Sequence, residues 1–131
     1  MPNRNPLLSL ALVVFGAAFC LIYPLSIVWS SGWAWADGPP IANDYFMMIV
    51  AVYITLGIFM IRAARDPAGN ASLIWFVVWS SLAHGLVMAW ESFRTPMMRG
   101  HLVGDVPALL IAAAVLGLLM TRVNSSRTVV A

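Results

Sequence analysis

His84 and Glu91 stand seven residues apart in the apolar stretch SSLAHGLVMAWESF, residues 80–93. An imidazole and a carboxylate can exchange protons with a shared ligand, the chemistry of acid–base catalysis and of proton relays. Seven residues of α-helix turn through about 700°, so both side chains share one face, ~10.5 Å apart along the axis. That spacing is too long for one metal ion, because helical ligand pairs stand three or four apart. Four further residues can reach the same region: Asp44, Tyr53, His101 and Asp105. His101 and Asp105 share a face if their segment is helical. Together the six define a candidate polar cavity open to the outside. Each has a simpler use as well. Asp44 and Asp105 serve as helix caps, Glu91 pairs with Arg94, and a buried His84 is satisfied by Ser80, Ser81 or a carbonyl.

Other chemistries find no residues to carry them. The sequence has no glycine-rich phosphate loop, no Cys-x-x-Cys and no credible Ser-His-Asp order. Haem ligation by two histidines would need His84 and His101 to meet, which their expected depths oppose. The single cysteine, Cys20, reads as a small apolar residue. No metal and no resident cofactor is expected, while a bound lipid or quinone is compatible with the apolar setting.

The elements that position these residues follow from composition. The chain has 131 residues, 62% of them hydrophobic and 9% charged, and a net charge of +2. Soluble domains carry about 25% charged residues, so the chain reads as one membrane domain. The scattered positive charge excludes a nucleic-acid partner. Transmembrane helices are expected at about 7–29, 44–64, 71–92 and 103–121, an all-α four-helix transmembrane bundle. The first run is too long for a signal peptide, despite AWA at 34–36. Asn5 caps the first helix before Pro6, Asn43 or Asp44 the second, and Asn70 the third after the turn RDPAGN. Asp105 caps the fourth, with Pro107 in its first turn; a start before the proline would kink that helix.

Arginine placement sets the orientation. Arg4, Arg62, Arg65, Arg122 and Arg127 fall on one side, Arg94 and Arg99 on the other. The richer side is cytoplasmic, which puts both termini inside. The sequon NAS at 70–72 then faces the cytoplasm and carries no weight. Trp29, Trp33 and Trp35 form an outer aromatic anchor. His84 sits just beyond mid-membrane, with Tyr53 near its level. Beside it runs a small-residue ridge of Ser81, Gly85 and Ala89, which lets a neighbouring helix approach closely.

GIFMIRAARDPAGNASLIWFVVWSSLAHGLVMAWESF and HLVGDVPALLIAAAVLGLL resemble a family of small, uncharacterised bacterial four-helix membrane proteins. The resemblance spans about residues 44–120, with Arg65-Asp66-Pro67, the His84 helix and Gly104-Asp105-Val106-Pro107 as its most specific parts. More loosely, the architecture is similar to the DoxX-like group. The resemblance implies a multi-pass protein of the bacterial inner membrane and implies no activity. Three readings follow. The first is a non-enzymatic bundle: an accessory subunit, a homo-oligomer, or a binder of a lipid, quinone or partner helix. The second is a membrane-embedded acid–base enzyme using His84 and Glu91 on an apolar substrate. The third is a proton-coupled transporter, which would need a polar path below His84 where chiefly Ser80, Ser81, Thr55 and Trp79 stand.

Overall fold

The computed structural model describes residues 5–33 and 39–128, with side chains as far as residue 123. Arg4, Trp35 and the AWA stretch lie outside the described residues, as does the side chain of Arg127. Within them the chain is all-helical: α1 (Pro6–Cys20), α2 (Ile22–Val28), α3 (Asp44–Ala63), α4 (Ala71–Arg94) and α5 (Asp105–Thr128). Short 3-10 turns at Ser30–Trp33, Pro40–Ala42 and Pro96–Leu102 connect them. Three segments are long and apolar enough to cross a membrane, and α1 with α2 makes a fourth if the pair is one bent span.

Local chemistry sets the ends. Asn5 caps α1, its side chain accepting from the Leu8 amide at 3.3 Å. Asn43, rather than Asp44, caps α3, accepting from the Phe46 amide at 2.9 Å. Asn70 holds the cap position of α4 without a capping bond. Its amide instead donates to the Asp66 carbonyl at 2.8 Å and closes the turn. The single helix expected at 7–29 is two helices, bent by 61° at Leu21. Pro24 explains the break: it lacks an N–H, and its ring crowds the carbonyl four residues back, which is Cys20, the last residue of α1. At the other end, α5 begins at Asp105 with Pro107 in its first turn and runs to Thr128, past the expected end near 121.

The helices pack as two pairs. α1 lies along α3, and α4 along α5, with α1 and α5 joining the pairs. The first pair crosses at Gly16 and Gly57. A Cβ on Gly16 would stand 2.8 Å from the Gly57 carbonyl oxygen, so only glycine admits this approach. In the second pair Ser81 and Gly85 are buried, and a Cβ on Gly85 would meet Leu110 of α5 at 3.1 Å. The shared core gathers Leu8, Leu12, Met60, Ile74, Val77 and Leu116. α3 and α4 are joined by a short turn yet barely touch, because each is drawn to a different partner. The outward faces are apolar, with Trp79, Trp90, Phe93 and Leu118 all more than half exposed. Such faces suit a lipid solvent.

The outer connections fold inward. The Pro96–Leu102 turn packs back on α4 and touches the Ser30–Trp33 turn. Gly104 and Gly32 meet there backbone to backbone, and a Cβ on Gly104 would occupy the place of the Gly32 carbonyl.

Candidate functional site

Where α3 and α4 stand apart, one hydrogen bond spans them. The Tyr53 hydroxyl and Nδ1 of His84 are 2.7 Å apart. We assign the hydroxyl as donor. If Nδ1–H donated instead, the phenol proton would need a further acceptor, whereas a donating hydroxyl leaves the imidazole proton on Nε2. Tyr53 is held by its ring: Phe19 packs edge-on to it with centroids 4.9 Å apart. The His84 ring lies across it at 5.8 Å and 68°. The expected partners of His84, Ser80 and Ser81, do not serve this nitrogen. The Ser80 hydroxyl returns to the Val77 carbonyl at 3.3 Å.

A second polar pair is buried at the head of α5. His101 and Asp105 are each 8% exposed. Nδ1–H of His101 donates to the carboxylate, with both oxygens in range at 2.8 and 2.9 Å. The four-residue spacing brings them together because the 3-10 turn runs into α5 as one helical path. The Asp105 side chain therefore holds His101 from the first turn of α5. Tyr53 with His84 and His101 with Asp105 are thus two polar pairs, drawn from three segments distant in sequence.

The other two expected members stand apart. Glu91 is half exposed and faces Arg94 at 3.9 Å. Asp44 is exposed in the first turn of α3. Of the expected packing ridge, Ala89 is only partly buried. Among the described residues no group of three or more His, Cys, Asp or Glu could hold a metal ion.

The gap between α3 and α4 forms an apolar groove of about 430 Å³. Its α3 wall starts at Ala51 and Val52, next to Tyr53, and continues through Leu56 to Phe59. Leu73 and Phe76 form the α4 wall. Thr55 also lines it, with its hydroxyl turned back to the Ala51 carbonyl at 2.9 Å. The groove offers an apolar surface along the two helices, and none of Tyr53, His84, His101 and Asp105 lines it. No residue motif announces it, because it arises from the helix pairing rather than from any one segment.

These features define a protein that is all-helical among the described residues, with three or four helices fit to cross a membrane and two buried or half-buried polar pairs. The chain belongs to a family of unknown function, DUF6632, which matches residues 3–129. That match takes in α1 and α2, which lie outside the 44–120 stretch on which the sequence resemblance rests. Comparison with curated proteins gives no match, and comparison with solved structures gives none.

Proposed function

We propose that this protein is a non-catalytic integral membrane protein that holds a lipid-like amphiphile in the seam between α3 and α4. One observation carries the reading. The two helices are separated by an apolar groove, and the Tyr53–His84 hydrogen bond bridges them from the residue that follows Val52 of its wall. Polar head groups and an adjoining apolar channel are the two things an amphiphile needs from its binder. The acid–base reading draws less support, since Glu91 faces Arg94 while His84 faces Tyr53. A proton conduit fits poorly with an apolar groove whose Thr55 hydroxyl is already engaged.

The membrane assigned is the bacterial inner membrane, with both termini cytoplasmic. The resemblance in the sequence and the arginine distribution support this. Cysteine accessibility from either side of sealed vesicles tests the orientation.

The function is tested by gentle purification from native membranes and native mass spectrometry of the full chain. A co-purifying species of lipid-like mass is expected, lost when Ala51→Leu and Thr55→Phe fill the groove. Bare protein would overturn the reading, and a bound polypeptide that survives those substitutions would overturn it in favour of an accessory-subunit role.

A further inference from the structure

Given the amphiphile reading, on which this inference rests, the ends of the groove decide where the head group lies. The groove sits at one end of the helix pair. Phe59 falls in the last two turns of α3, and Leu73 and Phe76 fall in the first two turns of α4. Only the 64–70 turn lies between the two helices, so the groove runs out where both spans end.

Arg62 stands at that end. Side chains on a helix lean towards its N-terminus, so an arginine near the C-terminus of α3 leans back along the seam. Its guanidinium lies over the ring of Phe59, a wall residue, 5.9 Å from the centroid. A contact with a ring face leaves the N–H donors of the guanidinium unspent. Arg62 is exposed, and among the described residues it makes no ion pair. Arg65, three residues on, is exposed as well. The nearest acid in sequence, Asp66, is engaged in its own turn, where Oδ1 accepts from the Gly69 amide at 3.1 Å. The charge is reversed at the other end of α3, where Asp44 is exposed in the first turn.

A phosphate at the Phe59 end would meet a planar cation whose paired donors match its oxygens. Basic spaces between transmembrane helices on the arginine-rich side suit anionic lipid heads for this reason. An acyl chain hung from that phosphate would run along the wall from Phe59 to Ala51, ~12 Å of α3.

We propose that the α3–α4 seam holds an acyl chain of an anionic phospholipid, with its phosphate on Arg62. The test uses the full chain in phosphatidylcholine liposomes and three probes sharing one diazirine-bearing acyl chain. Their heads are phosphoglycerol, phosphocholine and glycerol. Mass spectrometry compares labelling at 51–59 and 73–76 with labelling at Leu118. Leu118 faces lipid four positions from Arg122, so it reports ordinary attraction of anions to this end. Relative to Leu118, the phosphoglycerol probe should label the groove about fivefold more than either other probe. That is ~1 kcal/mol, the scale of one arginine against an anionic lipid surface. Arg62→Gln should cut the preference to twofold or less, and Arg62→Lys, which keeps the charge, should keep at least half of it. Circular dichroism verifies folding, and Arg62→Met replaces Arg62→Gln if that variant does not fold.

Groove labelling equal for the three probes, or stronger for either of the others, overturns the anionic head and leaves the amphiphile reading standing. A full preference in the folded Arg62→Gln protein overturns the role of Arg62. Groove labelling no higher than at Leu118 with every probe overturns both readings.

Discussion

Tyr53→Phe is the sharpest perturbation of this structure, because it removes one oxygen and leaves the ring against Phe19. Nδ1 of His84 then loses the only hydrogen-bond partner it shows. Stranding a buried acceptor costs about 1–3 kcal/mol, and both residues are half-buried, which favours the lower end. His84→Leu strands the phenol hydroxyl at a similar cost. The double variant strands neither group, and replacing both partners by apolar shapes is close to neutral. The two losses must therefore fail to add. Interhelical hydrogen bonds in membrane proteins couple by about 0.6 kcal/mol on average and ~1.7 at most, so with a near-neutral double variant each single loss should fall to about 1 kcal/mol or less at this half-buried site. SDS-driven unfolding in bicelles, followed by circular dichroism, measures all four corners of the cycle. Additivity to within about 0.3 kcal/mol would refute the bridge as a stabilising contact, as would a Tyr53→Phe variant as stable as the parent.

The same assay reads three further substitutions. Gly57→Ala sets a methyl 2.5 Å from the Gly16 carbonyl oxygen. Backbone cannot yield there, so α1 and α3 must part, at about 1–3 kcal/mol; an unchanged midpoint would deny the close crossing. Gly104→Ala drives a methyl into the Gly32 carbonyl. It should loosen the outer turns and raise proteolysis within 96–104 severalfold, while cleavage of the 64–70 turn stays constant. Asp105→Ala leaves Nδ1–H of a buried His101 without its acceptor and should cost about 1–3 kcal/mol. Asp105→Asn, which still accepts through its amide oxygen, should recover part of that loss.

Much of the helical framework was legible from local signals. Asn5 before Pro6, the RDPAGN turn, and the starts at Asp44 and Ala71 rest on caps and turn residues that act over three or four positions. The depth of Tyr53 near His84 was readable too, since it needs only helix rise and direction. The break at Leu21 was also written in the sequence, in Pro24, and was hidden by an uninterrupted apolar run. α5 was read as too short because hydropathy falls after Met120, yet helix continues through polar residues outside the apolar run. The candidate site was half legible. Its residue types are visible, but Glu91 joins it only through the helix face it shares with His84, and Asp44 only through its height. Sorting them required the helix pairing, which depends on contacts such as Gly16 with Gly57 that no local pattern specifies. The burial of His101 required a loop to turn inward, which hydropathy cannot foretell.

The meeting of Gly32 with Gly104 fixes an order of events. It joins segments from the two halves of the chain, each following a helix that belongs to a different pair. Such a contact cannot form while either pair is still separate, since closing a long loop yields nothing until its ends are already positioned. Assembly in the membrane would therefore proceed by helices first and pairings second, with the glycine contact last. Its formation marks completion of the fold.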